Sequence, residues 1–260
     1  MNGHAPKPIE FDLVADIYDT YVSVDFDLPF WLQEAGSVRG KVLELACGTG
    51  RVSIPLVKAG IDLSCVDYSY GMLGQFRVKL EREGLSCPLY CQDIAGLVLP
   101  DRFDLIFIPF NSFSEILDRR KHSEALTRIR SHLKAGGKFI CTLQNPVVRT
   151  VSMDGAEHRI GEFPMPSGNT LIVRSMLTFD RETHLASGEQ TYEQLTPDGH
   201  LVDHRRLAIS FYLFGKAEFE DAAAQAGLMT EALYGNYDRR SFEQETSPFM
   251  IWKLTSSATT

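Results

Sequence analysis

The chain has 260 residues, of which 44% are hydrophobic and 23% are charged, and its formal net charge at pH 7 is −8. This composition excludes a disordered chain, and the length suits one α/β core with an elaboration attached. The negative charge provides no attraction to phosphate backbones or anionic lipids, so we expect neither nucleic acid nor a membrane as a partner.

No segment predicts export or membrane insertion. The first ten residues lack the basic start and apolar stretch of a signal peptide, and no apolar run approaches the roughly 18 residues of a membrane span. We therefore expect a cytoplasmic protein. The five cysteines form no CxxC pair, and we expect them to be reduced and buried rather than metal-bound. The oligomeric state stays open, with a homodimer as one alternative.

The first half of the chain alternates short apolar runs with helical stretches, a pattern typical of a parallel sheet with intervening helices. Ser69 is predicted to cap one helix and Gly84 to end it, and Gly136-Gly137 is predicted to end the helix before the fifth strand. Strands are predicted at 41–46, 61–66, 88–92, 103–109 and 138–143, and helices at 51–59, 70–83 and 120–133. These elements predict a doubly wound α/β fold.

After the fifth strand the pattern changes to consecutive strands joined by turns. They are predicted at 157–163, 170–179, 185–195 and 200–212, followed by a helix at 216–226 and strands at 228–235 and 248–254. The last two strands complete a mostly parallel seven-stranded sheet. We therefore divide the chain into an N-terminal helical segment (1–39), a core (40–145), an antiparallel β insert (146–212) and a closing helix with a final hairpin (213–260).

Polar and glycine residues follow three successive strands of the predicted sheet. The segment Glu44–Gly50 forms the first turn, Asp67 ends the second strand, and Asp93 follows the third. An open parallel sheet binds its ligand beyond the carboxyl ends of its strands, and glycines let backbone amides approach it closely. A carboxylate in the position of Asp67 can accept both hydroxyls of a ribose. The sequence therefore predicts one nucleoside-binding crevice.

Two other nucleotide ligands fit the glycine turn less well. The dinucleotide fingerprint GxGxxG requires a third glycine where this chain has Ser53. No Gly-Lys-Ser/Thr follows the turn, as nucleoside triphosphate hydrolysis would require. The pattern thus disfavours a nicotinamide dehydrogenase and a nucleoside triphosphatase.

The order of these motifs resembles that of class I S-adenosylmethionine (SAM)-dependent methyltransferases. The resemblance covers about residues 40–145 and rests on the segments ELACGTG (44–50), VDYSYGML (66–73), CQDI (91–94), FDLIFIPFNSF (103–113) and LKAGGKF (133–139). It implies a Rossmann-like fold that uses SAM, releases S-adenosylhomocysteine and needs no metal. One departure is Ala46, where many members carry glycine.

The resemblance also implies the cofactor contacts. Gly48 and Gly50 would border the methionine portion, Asp67 the ribose, and Met72 the adenine face, although Met72 could instead pack in the core. Arg51 begins a helix, where it could meet the SAM carboxylate. The remaining expected cofactor contacts are Glu44, Ala46, Cys47, Tyr68, Gln92, Asp93, Ile94, Pro109 and Phe110.

Among class I enzymes, the chain is most similar to small-molecule N-methyltransferases of the glycine/sarcosine and aminosugar kinds. The shared features include the segments Ile17–Asp19, Asn111–Phe113 and Gly235–Tyr237, and a β insert before the closing helix. We expect catalytic contacts from Tyr18, Tyr21 and Asn111, and substrate contacts from Gln144, Asn145 and Arg174. If the acceptor is a hydroxyl, a general base could come from His158, His184, His200 or His204.

Methyl transfer from SAM to a nitrogen or oxygen of a small molecule is the leading hypothesis. The insert would shape the acceptor pocket, and positioning and desolvation would carry the rate because the sulfonium is already activated. An enzyme that cyclises or cleaves SAM would share the same cofactor motifs. A non-catalytic SAM-binding protein is the weaker alternative.

Overall fold

Two β-sheets organise the molecule, and a computed structural model describes them over residues 7–256. The larger sheet has seven strands, and its five parallel members are β1 (Val42–Leu45), β2 (Leu63–Asp67), β3 (Leu89–Cys91), β4 (Phe103–Ile108) and β5 (Leu133–Gln144). The smaller sheet is an antiparallel meander of β6 (Asp154–Pro164), β7 (Thr170–Asp180), β8 (Leu185–Leu195) and β9 (Leu201–Tyr212). The two closing strands of the larger sheet are β10 (Leu228–Tyr234) and β11 (Phe249–Ser256).

The larger sheet has the strand order β10-β11-β5-β4-β1-β2-β3, with β11 antiparallel to both β10 and β5. This order confirms the predicted mostly parallel, doubly wound class and the antiparallel insert after the fifth strand. The division into segments at residues 39, 145 and 212 stays a prediction. Residues 1–6 of the N-terminal segment and residues 257–260 of the closing segment lie outside the described residues.

Seven α-helices occur in the described part of the chain. They are α1 (Tyr18–Tyr21), α2 (Leu28–Gly36), α3 (Ser53–Lys58), α4 (Tyr70–Glu83), α5 (Arg119–His132), α6 (Pro146–Arg149) and α7 (Lys216–Gln225). The predicted ends of α4 are confirmed, because the Ser69 hydroxyl accepts a 3.0 Å hydrogen bond from the Met72 amide and Gly84 takes a φ of 66°. Within residues 7–256, no helix is both long and apolar enough to cross a membrane.

The junction between α5 and β5 differs from the prediction. We expected Gly136-Gly137 to end the helix and the strand to begin at Lys138, but β5 already begins at Leu133. The register of the pairing between β5 and β4 changes between Leu133 and Lys138, so the two glycines form a bulge inside the strand. A Cβ on Gly137 would lie 3.0 Å from the Phe103 carbonyl oxygen, and this close backbone approach is what requires glycine.

Three apolar clusters form the core. In the first, side chains of α5 and α7 pack against the larger sheet. In the second, side chains of α2, α3 and α4 pack against strand residues that alternate with those of the first cluster. The third joins the N-terminal segment to the smaller sheet through Val14, Ile17, Tyr192 and Leu207. The N-terminal segment therefore packs against the insert and lies beside the ends of the parallel strands.

Candidate functional site

A cavity of about 430 Å³, the central cavity, lies at the carboxyl edge of the parallel strands. Residues at or just beyond the ends of four of these strands line it: Ala46, Gly48, Asp67, Tyr68, Phe110, Asn111, Ser112 and Gln144. The N-terminal segment, the insert and the closing segment complete its walls. The structure thus brings together polar residues that the sequence places at successive strand ends.

Two further cavities adjoin the central cavity. The Asp93 cavity, about 510 Å³, is lined by Asp93, Ile94 and Lys121 and shares Ala46, Tyr68, Ser112 and Glu115 with the central one. The Arg51 cavity, about 40 Å³, is lined by Glu44, Cys47, Arg51 and Pro109 among others. Together they form a crevice that crosses the ends of β4, β1 and β2.

The glycine turn after β1 has a different role at each of its left-handed residues. Gly48 has a φ of 54°, and a Cβ there would meet nothing within 4 Å, so its outer face opens on the crevice. Ala46 has a φ of 55°, a conformation that costs a non-glycine residue roughly 1–2 kcal/mol. Such strain is typical of functional sites.

Gly50 does not line any of the three cavities, and its predicted cofactor contact stays a prediction. Its φ is 84°, and a Cβ there would lie 2.3 Å from Cδ2 of Phe76 on α4. Packing between the turn and α4, rather than contact with a ligand, therefore requires glycine at this position.

Asp67 links the glycine turn to the start of α4. Its carboxylate accepts hydrogen bonds from the Gly48 amide at 2.7 Å and the Ser69 amide at 2.9 Å. The side chain lines the central cavity, but the residue is only 6% exposed, and burial raises its pKa. Asp67 is therefore a fixed acceptor group beside an amide-lined turn.

Glu115 is a carboxyl group of the crevice that the sequence reasoning missed. It lies on a short 3-10 helix, Ser112–Glu115, that follows β4, and it lines both larger cavities. Burial and the charge of Asp67 raise the pKa of Glu115 to about 8. At pH 7 its carboxyl is therefore mostly neutral and can donate a hydrogen bond, whereas Asp67 accepts. An acidic residue soon after the fourth strand was the available signal.

Glu44 is a second carboxyl held neutral, but it lies inside the sheet on β1. It is 1% exposed and accepts a 2.5 Å hydrogen bond from the Ser53 hydroxyl at the start of α3. Burial raises the pKa of Glu44 to about 8. Although it borders the Arg51 cavity, its hydrogen bond joins the first strand to the helix that follows.

We expect the free energy of unfolding to fall as pH rises from about 4.5 to 8. The unfolded chain releases the Glu44 and Glu115 protons near the ordinary value of 4.5, whereas the folded chain keeps them to about 8. Each such carboxyl contributes a slope of at most about 1.4 kcal/mol per pH unit. Glu44→Gln, which keeps an acceptor for Ser53, should make the fall shallower in urea titrations at pH 5, 6.5 and 8.

A matched control for this pH effect is Glu220→Gln, which replaces an exposed carboxylate paired with Lys216. Its pH profile should follow that of the unmodified protein. Parallel profiles for Glu44→Gln and the unmodified protein would show that Glu44 is ionised in the folded state.

Tyr18 and Tyr21 both line the central cavity from α1. The Tyr21 and Tyr192 hydroxyls lie 3.0 Å apart, and the Tyr192 hydroxyl donates to Gln190 Oε1 at 2.8 Å. Burial raises the pKa of both Tyr18 and Tyr21, so these side chains stay protonated at neutral pH. They can orient a ligand by hydrogen bonds but are poorly suited to remove a proton from one.

Asn111 has a free acceptor at the edge of the crevice. Its φ is 67°, and its Oδ1 atom is buried with no hydrogen-bond partner in the described part of the chain. An unpaired buried acceptor costs about 1–3 kcal/mol, which a donor on a bound molecule would offset. The preceding residue, Phe110, is also left-handed with a φ of 58° and presents its ring to the same cavity.

Arg51 lines the Arg51 cavity and is also paired within the protein, and its predicted contact with a cofactor carboxylate stays a prediction. Its guanidinium forms a two-point ion pair with Asp27 at 2.5 and 2.8 Å and donates to the Val24 carbonyl at 2.9 Å. It also lies over the Phe110 ring, 4.9 Å from the centroid. Arg51 therefore ties the N-terminal segment to the glycine turn.

Three other predicted site residues have structural partners and line none of the three cavities. Gln92 hydrogen-bonds both backbone groups of Val98, which closes the loop after β3. Asn145 is buried and donates to two carbonyl groups in the segment before β11. Arg174, in the middle of β7, pairs with Glu193 on the next strand.

Met72, Asp93 and Ile94 do lie at the crevice, Met72 in the central cavity and the other two in the Asp93 cavity. The histidines considered as general bases, His158, His184, His200 and His204, line none of the three cavities. They lie in the insert, where His158 pairs with Asp154. Carboxyl, amide and phenol groups are thus among the side chains that line the crevice.

Comparison with known proteins gives this crevice a context. Residues 42–137 match the family described as Methyltransferase domain. The cypemycin N-terminal methyltransferase of Streptomyces sp is 27% identical over 168 residues, which cover 64% of this chain and 66% of that protein. The glycine/sarcosine N-methyltransferase of Aphanothece halophytica is 31% identical over 116 residues, which cover 44% of this chain and 43% of that protein.

Structural similarity extends over most of the chain. The sugar N-methyltransferase KedS8 from Streptoalloteichus sp ATCC 53650 superimposes with a TM-score of 0.75 at 20% identity, covering 98% of this chain and 96% of that one. This likeness establishes a common fold. The chain spans 40–66% of the length of the curated relatives it matches. The domain match and the fold confirm the resemblance seen in the sequence motifs.

Proposed function

We propose, given a class I methyltransferase fold with its methyltransferase domain at residues 42–137, that this protein transfers a methyl group from SAM to a nitrogen atom of a small molecule. The observation that carries the proposal is the crevice in which the acceptor Asp67, the open Gly48 turn and the unpaired Asn111 Oδ1 meet. When bound, SAM supplies an activated methyl group on its sulfonium.

The chemistry of the crevice fits the three parts of SAM. Asp67 provides an acceptor for ribose hydroxyls, and Glu115 provides a neutral carboxyl beside it. The Asp93 cavity, with Ile94 and Tyr68 in its walls, suits the adenine ring. The open face of Gly48 leaves room for the methionine portion.

The far side of the central cavity is assigned to the acceptor, and we name it the acceptor wall. A volume of about 430 Å³ is within the usual range for small-molecule pockets. The acceptor wall comprises Tyr21, Phe26, Gln144, Arg149, Gln190, Ile209, Phe211, Tyr237 and Phe249. Aromatic rings of this kind stabilise a methylated ammonium group by cation–π attraction.

Nitrogen is favoured over oxygen as the methyl acceptor by the groups available. A hydroxyl acceptor needs a base, and the phenols of Tyr18 and Tyr21 stay protonated because burial raises their pKa. A neutral amine attacks an activated methyl group without one, so alignment and exclusion of water suffice. The names of the glycine/sarcosine and sugar relatives also specify N-methylation.

The test is to supply SAM with a panel of small amines and their matched alcohols, and to measure S-adenosylhomocysteine, methylthioadenosine and methylated product. The proposal expects S-adenosylhomocysteine in step with methylated amine. Release of methylthioadenosine without an acceptor would instead identify an enzyme that cleaves or cyclises SAM. Binding of SAM with no product from any acceptor would support a non-catalytic protein.

Tyr18→Phe and Tyr21→Phe should each lower kcat with the best amine by at least about tenfold, because each removes one orienting hydroxyl from the cavity. The affinity for SAM should stay within about twofold. Tyr70→Phe is the control, since Tyr70 is 76% exposed on α4. Full turnover in both cavity variants would remove these hydroxyls from the alignment of the acceptor.

A further inference from the structure

Arg149 is the one cationic side chain among the described residues that line the central cavity. It ends α6, the short helix that follows β5, and therefore belongs to the acceptor wall. The two carboxyl groups of the lining are Asp67 and Glu115, near the ends of β2 and β4. Three inter-strand spacings, roughly 14 Å, separate β5 from β2 in the sheet. Asp67 and Arg149 therefore lie on opposite sides of the cavity.

The Arg149 guanidinium is held in place by neutral groups. Its Nε donates to Gln144 Oε1 at 3.2 Å, one terminal nitrogen donates to the Ser152 hydroxyl at 2.7 Å, and its centre lies 5.9 Å from the Phe211 ring centroid. These bonds use two of the five N–H donors of an arginine. The helix that carries it is fixed by the buried Asn145, whose carbonyl oxygen accepts from the Arg149 amide at 2.9 Å.

Arg149 differs electrostatically from three other partly buried arginines. Arg51, Arg174 and Arg205 each pair with a carboxylate, and that pairing raises the pKa of each guanidinium. No carboxylate within residues 7–256 lies within ion-pair distance of Arg149, and burial lowers its pKa. A half-buried cation without an anion carries an uncompensated desolvation cost, which an anionic ligand group would offset.

We propose that Arg149 binds an anionic group of the acceptor, a carboxylate or a phosphate, so that the enzyme selects amines that also carry a negative charge. The identity of the acceptor as an amine rests on the proposed function. The binding of an anion by Arg149 does not depend on the proposed function. Three unused N–H donors in a planar fork suit two-point binding of such a group, and Phe211 and Tyr237 offer apolar surface beside it.

The experiment is calorimetric titration of the protein, saturated with S-adenosylhomocysteine, with benzoate, phenyl phosphate and the neutral isostere benzamide. The unmodified protein should bind at least one of the two anions about tenfold more tightly than benzamide. Arg149→Gln should remove that preference and leave the affinities for benzamide and S-adenosylhomocysteine unchanged. Arg149→Lys, which keeps the charge, should keep part of the preference. The tighter anion identifies the class of group that the acceptor carries.

The matched control is Arg206→Gln, which removes an exposed guanidinium of the insert whose side chain is 66% accessible. It should bind all three probes like the unmodified protein. Equal affinity for the anions and benzamide in the unmodified protein would overturn the proposal. So would a loss of S-adenosylhomocysteine affinity in Arg149→Gln as large as the loss for the anion, since Arg149 would then hold the cofactor carboxylate.

Failure of the proposed function gives a different result. In that case the amine panel would give no methylated product with SAM, whether or not S-adenosylhomocysteine binds the unmodified protein. The same three probes titrated into the ligand-free protein would still decide whether Arg149 is an anion site.

Discussion

Replacing Gly48 with valine will abolish SAM binding while the protein stays folded. The Cβ position of Gly48 faces open space at the crevice, so a branched side chain there would occupy the room assigned to the methionine portion. It would also move the Gly48 amide, which donates a 2.7 Å hydrogen bond to Asp67, away from its present position. Isothermal titration with S-adenosylhomocysteine should show at least about a hundredfold loss, roughly 2.7 kcal/mol.

Gly60→Val is the control that isolates the effect of backbone strain. Gly60 has a φ of 79°, and a Cβ there also meets nothing within 4 Å, but it follows α3 and lines none of the three cavities. Both variants pay the cost of a branched residue in the left-handed region, so their melting temperatures should fall by similar amounts. If the two variants bind S-adenosylhomocysteine equally well, then Gly48 is an ordinary turn residue.

Asp67→Ala should weaken SAM binding by about 10- to 100-fold. A hydrogen bond to a charged acceptor contributes about 1.5–3 kcal/mol, and Asp67 is the buried carboxylate that ends β2 at the crevice. Some stability should also be lost, because the Gly48 and Ser69 amides lose their acceptor. Titration by calorimetry and a melting curve on the same sample separate the two effects.

Asp104→Ala is the matched control for Asp67→Ala. Asp104 lies on β4, which β1 separates from β2 in the same sheet, and its carboxylate pairs with Lys134 and lines none of the three cavities. It should bind SAM like the unmodified protein. Unchanged affinity in a folded Asp67→Ala variant would remove Asp67 from the site and would contradict the proposed position of the ribose.

Elements set by short-range patterns could be predicted from the sequence. The cap at Ser69, the stop at Gly84 and the four strands of the insert depend on residues within a few positions of one another, and the structure confirms them. The strand ends at Asp67 and Ile108 follow from the same patterns. Parallel strands then bring these ends to one edge, so much of the crevice could be anticipated.

Site features that depend on distant pairings could not be predicted. The ion pair of Arg51 is an example, because its partner Asp27 lies 24 residues away and only the folded N-terminal segment brings it close. The need for glycine at position 50 comes from Phe76 on another helix. The neutral state of Glu115 comes from burial and from Asp67, which neither periodicity nor motif order reveals.

The two sides of the central cavity have separate origins along the chain. Gly48, Asp67, Asn111 and Glu115 all fall within residues 42–137, the span of the domain match. The acceptor wall lies entirely outside that span, on the N-terminal segment, the end of β5, α6, the insert and the closing segment. Under the proposed function, mutations can therefore reshape the acceptor wall without changing any residue of the matched domain, so acceptor preference can change while the groups assigned to the methyl donor are kept.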